Sequence, residues 1–292
     1  MKHKRYRGKF TRKRNHLPLW LWLIPASLLV IGMVAVGMLL MERYRAREDF
    51  QQLAAVVRET QAPTVQTTAP FETMLPAETT LPAETTVPPE TTQAATQPTG
   101  PLAQYQQLYA ENPEMTGWLR IDGTVIDYPV MHTPQEPEKY LHRNFQGEDS
   151  YPGTPFIDYR CTEDSDNLVI YGHNMSDGSM FHTLPDYQQR NHWQAHPVIR
   201  FDSVYEEREF EVVAAFYDRV YYTHETNFKF YNFIDAADEA DYNHAIAQFK
   251  QKSLYDTGIT PQYGQQLITL VTCTYQVENG RFVVVACEKA AS

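Results

Sequence analysis

The sequence contains no phosphate-binding glycine loop and no Gly-x-Ser-x-Gly elbow. That leaves no P-loop nucleotide chemistry and no serine nucleophile of the α/β-hydrolase kind to argue for. Basic residues are scarce beyond the N-terminus: from Leu102 onwards there are 13 against 28 acidic ones. So acidic a body lacks the footprint that a phosphate backbone needs, which argues against nucleic-acid binding. Cysteine is rarer still, with Cys161, Cys273 and Cys287 alone. With 292 residues, 42% of them hydrophobic, the chain is long enough for one or two domains with a real core.

What is present begins at the N-terminus. Residues 17–41 carry no charge, and 25 such residues exceed the roughly 20 that a membrane helix needs. Eight Lys and Arg residues precede this run, from Lys2 to Arg14. The positive-inside bias puts residues 1–16 in the cytoplasm and everything after 41 outside. The run is longer than the apolar core of a cleaved secretory signal, so an uncleaved signal-anchor is expected. Residues 42–59 continue as a short helix. Residues 60–101 then hold no Lys or Arg and repeat LPAETT, LPAETT, VPPETT over 75–92. Such a stretch buries too little apolar surface to offset its ordering entropy and reads as an extended stalk, its threonines open to glycosylation. The folded domain is 102–292.

Within that domain, Leu102, Tyr105, Leu108 and Tyr109 lie on one helix face. Residues 118–130 read as a hairpin around Asp122-Gly123, and 136–144 as a short helix. Strands are expected at 155–159, 167–173, 197–202, 208–218, 267–273 and 281–287. Residues 238–252 have helical spacing through Tyr242, Ile246 and Phe249. The last two strands are apolar on both faces and belong in a closed or covered sheet. Seven or eight strands with few long helices predict a mainly β fold, a barrel or sandwich.

An odd number of cysteines outside the cell leaves at least one free thiol. It is either a buried bystander beside one disulfide, with Cys161–Cys287 one conceivable pair, or a thiol kept free because it reacts. Cys273 ends a buried strand, where a thiol is both held and reachable. His173 ends another, and a cysteine nucleophile needs an acid or base partner. Arg281 opens the last strand. Two registers are open for it. A wide loop over 274–280 sets Arg281 across from Cys273, where a guanidinium can stabilise an oxyanion. A two-residue Asn279-Gly280 turn instead makes Arg281 a surface charge at a hairpin tip. His192 and His196 stand four apart, but no third ligand stands out, so no metal is expected.

Thr269-Leu270-Val271-Thr272-Cys273 resembles the TLxTC signature of sortases, the membrane-anchored cysteine transpeptidases of Gram-positive bacteria. Tyr171-Gly172-His173-Asn174-Met175 with Asp177–Phe181 is similar to the histidine region of class B sortases, and Asn279–Val285 to the strand bearing their arginine. Residues 112–130 and 156–160 also fit class B. The resemblance implies a sortase β-barrel, largely antiparallel, with an N-terminal helical region and a helix-bearing insertion at about 220–262, and it favours the wide loop. It implies that Cys273 attacks a threonine carbonyl in a sorting motif of secreted proteins, N-P-x-T-[N/G]-like, and forms a thioester. His173 then serves as acid and base, Arg281 steadies the oxyanion, and Thr272, Tyr171 and Asn174 line the substrate groove. The acceptor is expected to be a peptidoglycan amine, and no cofactor is implied. A pilin polymerase, a cysteine peptidase and a silent wall-tethered binding domain are the rival readings. A neutral thiol beside a neutral imidazole should dominate at pH 7, although the acidic body is expected to favour imidazolium.

Overall fold

A computed structural model describes residues 20–61, 100–274 and 276–289. The basic tail and the LPAETT stalk fall outside the described residues. The chain divides into two units, 1–45 and 46–292. Helix α1 (Trp20–Gln61) changes character along its length. Leu28 to Met41 expose their apolar side chains, while Ala46, Phe50, Leu53, Ala54 and Val57 are buried at helical spacing. Among the described residues α1 is the one helix long and apolar enough to cross a membrane.

In the second unit, the short helix α2 (Gln106–Glu111) leads into eight strands. They are β1 (Met115–Arg120), β2 (Asp127–Met131), β3 (Phe156–Ile157), β4 (Asn167–Tyr171), β5 (Val198–Ser203), β6 (Glu209–Arg219), β7 (Leu267–Cys273) and β8 (Gly280–Glu288). They close in the order β1-β2-β3-β4-β7-β8-β6-β5. Two pairings, β2–β3 and β4–β7, are parallel, so the barrel is mixed rather than purely antiparallel. Closure leaves no sheet edge unpaired. The expected hairpin at 118–130 is β1–β2, turned at Ile121–Thr124 with Gly123 at φ +80°. The short helix expected at 136–144 is a single 3-10 turn, Lys139–His142. Helix α3 (Arg190–Ala195) follows a second 3-10 segment, Leu184–Gln188.

The segment between β6 and β7 carries helix α4 (Glu239–Lys252), the expected insertion. Asp238 caps it, accepting from the Asp241 backbone N–H at 2.9 Å, and Lys250 and Lys252 sit favourably in its last turn. Its buried face of Tyr242, Ala245, Ile246 and Phe249 covers the outer side of β6, where Phe249 stacks on Phe216.

Candidate active site

Three neighbouring strands end together at one rim of the barrel. Parallel β4 and β7 run in register, Tyr171 opposite Val271, and Gly172 extends the ladder through its N–H to the Val271 carbonyl at 3.1 Å. Two residues beyond that matched pair stand His173 and Cys273. On the other side β7 and β8 are antiparallel, with Cys273 directly opposite Arg281. Residues in register on adjacent strands project to the same face. The imidazole, the thiol and the guanidinium therefore line one cleft of about 400 Å³. This is the wide-loop register. Asn279 takes a left-handed conformation at φ +56°, and a Cβ on Gly280 would lie 2.6 Å from the Thr274 hydroxyl. The Asn-Gly pair thus closes the Val277–Gly280 turn and is not a two-residue hairpin tip, so the rival register is excluded.

The cleft walls come from four places. Leu141 and Tyr140 come from the 3-10 turn after β2, Phe156 from β3 and Asp158 from just beyond it. Val220, Phe230 and Tyr231 come from the insertion, and Tyr171 and Thr272 form the floor. His173 is fixed from its back. Its Nε2–H donates to the Leu141 carbonyl at 3.0 Å, because a carbonyl can only accept. That assigns the tautomer and leaves Nδ1 of the neutral ring unprotonated. The ring also stacks on His142, with centroids 5.3 Å apart. Burial pulls the His173 imidazole below its ordinary value; the Leu141 bond pulls it back and His142 pushes it further down. This corrects the expectation that the acidic body favours imidazolium: desolvation outweighs the surface charge.

The remaining sequence-predicted residues divide. Tyr171 lines the cleft, and its hydroxyl donates to Asp158 at 3.1 Å. Thr272 is buried, and its hydroxyl is spent on the Gly172 carbonyl at 2.8 Å, locking β4 to β7 beside the cleft. Asn174 stands apart from the cleft lining. Its amide donates to the Cys273 carbonyl at 3.2 Å and its oxygen meets His182 Nδ1 at 3.1 Å, so it ties the two strand exits together. Arg281 turns its guanidinium toward its own turn, donating to the Gly280 carbonyl at 2.9 Å and the Asn279 carbonyl at 3.2 Å.

All three cysteines are free, so no Cys161–Cys287 disulfide forms. Cys287 pairs with Leu267 at the far end of β7 and β8, in the core and away from the cleft. Burial pushes the Cys161 thiol up to about 12 and Cys287 to about 11, away from the nucleophilic thiolate form. The rings of His192 and His196 meet tilted at 47°, centroids 4.5 Å apart, and His196 Nδ1 engages the Asp122 carbonyl at 2.8 Å.

Sequence reasoning missed the support behind the cleft. Asp158 is buried, and Arg160 grips it with Nε and Nη2, both at 2.8 Å. The same guanidinium reaches the Tyr231 carbonyl and Asn232 Oδ1, stapling the insertion loop to the barrel. Burial pushes Asp158 up, but Arg160 and the Tyr171 hydroxyl together hold it below the usual carboxylate range. Phe156–Arg160 was legible as a family-like segment, but nothing in it announced this staple.

A free thiol, an imidazole and a guanidinium that line one cleft at a barrel rim are the groups a cysteine acyl-transfer enzyme uses. Comparison with known proteins places it further. The Sortase domain family matches residues 119–289. Sortase B of Listeria monocytogenes is 34% identical over 189 residues, 62% of this chain and 72% of that protein. Sortase B of Staphylococcus aureus is 29% identical over 187 residues, 63% of this chain and 73% of that one. The fold also matches a Staphylococcus aureus sortase B–substrate complex with TM-score 0.66 and 22% identity, over 86% of this chain and all of that one. The chain belongs to the sortase family. It is a cysteine transpeptidase of the sortase B group, and its N-terminal apolar helix fits the membrane anchor or signal sequence of such an enzyme.

Proposed function

We propose that this chain joins secreted proteins bearing an N-P-x-T-[N/G]-like motif to a peptidoglycan amine on the outer face of the membrane, with residues 1–16 in the cytoplasm. One observation carries the reading: Cys273, His173 and Arg281 occupy three adjacent strand ends that share one cleft. The Cys273 thiolate attacks the threonine carbonyl carbon, and the carbonyl electrons move onto oxygen. Arg281, swung from its own turn, faces that oxyanion. The C–N bond breaks and the leaving amine takes the proton from Nδ1 of His173, leaving a thioester on Cys273. The incoming amine then attacks the thioester, gives its proton to Nδ1, and the C–S bond breaks to restore the thiolate. The lowered imidazole fits this cycle. A neutral ring is a ready base for the acceptor amine.

The full chain in detergent is tested with fluorogenic peptides bearing N-P-x-T-N, N-P-x-T-G and L-P-x-T-G, each with and without an amine acceptor. Cys273→Ala is the control, and products are read by mass spectrometry. The expected result is acceptor-dependent joining after threonine on an N-P peptide, abolished in the variant. Joining on L-P-x-T-G alone overturns the motif. Cleavage without joining at any acceptor concentration overturns ligation in favour of a peptidase.

A further inference from the structure

Arg281 has two neighbours in register. On β7 it faces Cys273, and on β6 it faces Asp218. Opposed residues of an antiparallel pair share a face, with Cβ atoms roughly 4.5–5.5 Å apart. The Asp218 carboxylate, 3% exposed, therefore stands within easy reach of the guanidinium, yet the two form no ion pair. The carboxylate is engaged elsewhere. Oδ2 pairs with Lys252 Nζ at 3.0 Å. Oδ1 accepts from the Tyr221 hydroxyl at 2.6 Å and the Arg219 backbone N–H at 2.9 Å. Arg219 itself is engaged with Glu225. Lys252 arrives from the last turn of α4, and its neighbour Lys250 is held by the Ile259 carbonyl and the Thr260 hydroxyl.

We propose that Lys252 is a positioning residue of the transpeptidase: by neutralising Asp218 it keeps a buried carboxylate from capturing Arg281, so that the guanidinium stays available to the cleft. A buried carboxylate without a cation is costly, and it recruits whichever cation can reach it. With Lys252 gone, Arg281 is that cation, and pairing with Asp218 draws it away from Cys273. The insertion thus tunes the site from behind, through a charge that touches no substrate. The inference rests on the role proposed for Arg281.

The test uses the full chain in detergent with Lys252→Met, Lys252→Arg, Asp218→Asn, Lys252→Met/Asp218→Asn and Arg281→Ala. Two quantities are read. One is kcat/KM on whichever peptide of the panel above the unaltered chain cleaves. The other is the rate of phenylglyoxal modification at Arg281, mapped by mass spectrometry, which needs no substrate. Lys252→Met is expected to lower both by at least about tenfold, chiefly through kcat. Lys252→Arg keeps both, and the double variant recovers both, a rescue that mere loss of packing does not give. If Lys252→Met does not fold, Asp218→Asn decides: it is expected to keep Arg281 fully modifiable and turnover within about threefold. Unchanged rates in folded Lys252→Met, no recovery in the double variant, or a tenfold loss in Asp218→Asn each overturns the inference. Arg281→Ala with full turnover overturns instead the role proposed for Arg281, while the modification rates still report whether Asp218 captures it.

Discussion

Gly172 offers the sharpest test of how the barrel holds His173. A Cβ at this position would lie 2.6, 2.7 and 2.8 Å from Cγ, Cδ2 and Cδ1 of Phe181. Ordinary carbon contacts need roughly 3.5–4.0 Å, so the ring root must retreat by about 1 Å. It has nowhere to go, because Phe181 is completely buried. Its backbone N–H also donates to the His173 carbonyl at 2.9 Å, so a displaced Phe181 drags the imidazole with it. Overpacking of this kind costs about 1–3 kcal/mol. At the size of this unit each kcal/mol moves the midpoint by about 2–4 °C, so Gly172→Ala is expected to lower the melting temperature by roughly 2–12 °C. A displacement near 1 Å at a reacting group costs about a hundredfold in rate, so the activity loss should exceed the stability loss in consequence. Thermal unfolding followed by circular dichroism and kcat/KM on a cleaved peptide measure the two effects. A double-mutant cycle sharpens them. Phe181→Ala alone costs about 3–5 kcal/mol, but less in the Gly172→Ala background, where the cavity admits the new methyl. Wild-type melting and turnover in Gly172→Ala, or a cycle with no coupling, would refute the reasoning.

Arg160→Ala breaks the staple on Asp158. We expect a loss of about 2–3 kcal/mol at pH 7 in denaturant titration, less than for a fully buried pair because Arg160 is 34% exposed. Asp158 is held below its unfolded value, so this contribution exists above the unfolded carboxylate value of about 3.9 and fades as pH falls through the lower folded one. The gap between wild type and variant should therefore close below about pH 4; a constant gap refutes the assignment. His132, His173 and His192 are all held below the ordinary imidazole value, burial being the first cause in each. Their neutral forms stabilise the fold fully above about pH 6.5, and the contribution is lost as pH falls through their lowered folded values. Melting temperature should decline on acidification from there, and a proton NMR midpoint for His173 at or above 6.5 contradicts this. Native iodoacetamide treatment should give a single adduct, on Cys273, with Cys161 and Cys287 reacting only after denaturation. Labelling of Cys161 or Cys287 in the native protein would show that burial does not silence them.

The strands that carry the site were legible for a physical reason. β7 and β8 are apolar on both faces, and few folds other than a closed sheet bury such runs. Helix α4 was legible because Tyr242, Ile246 and Phe249 keep helical spacing. The register of Arg281 was not legible from pattern, since an Asn-Gly pair serves a wide loop and a tight hairpin equally well. The fate of residues 46–57 was hidden too: an amphipathic face reads the same whether it meets solvent-side partners or joins the barrel core, as Phe50 does in packing edge-on to Tyr128 at 5.2 Å. Strand β3 shrank to two residues because its pairing depends on partners on either side. Charge pairs such as Asp218 with Lys252 join residues distant in sequence, and no local pattern announces them.

Those pairs also explain why the net charge misled about His173. The acidic excess from Leu102 onwards, 28 acids against 13 basic residues, is a sum over the whole body, and exposed charges are screened beyond about 8 Å at physiological ionic strength. Near the cleft three acids are individually matched, Asp158 by Arg160, Asp218 by Lys252 and Glu225 by Arg219, while Glu138 at the cleft lining is solvent-exposed. His173 itself is half-buried with a second imidazole stacked on it, and desolvation governs its titration. Arg281 makes no ion pair among the described residues, which is what the oxyanion role proposed for it requires. An acidic protein can in this way keep a cationic group poised beside its thiol without the surrounding carboxylates quenching it.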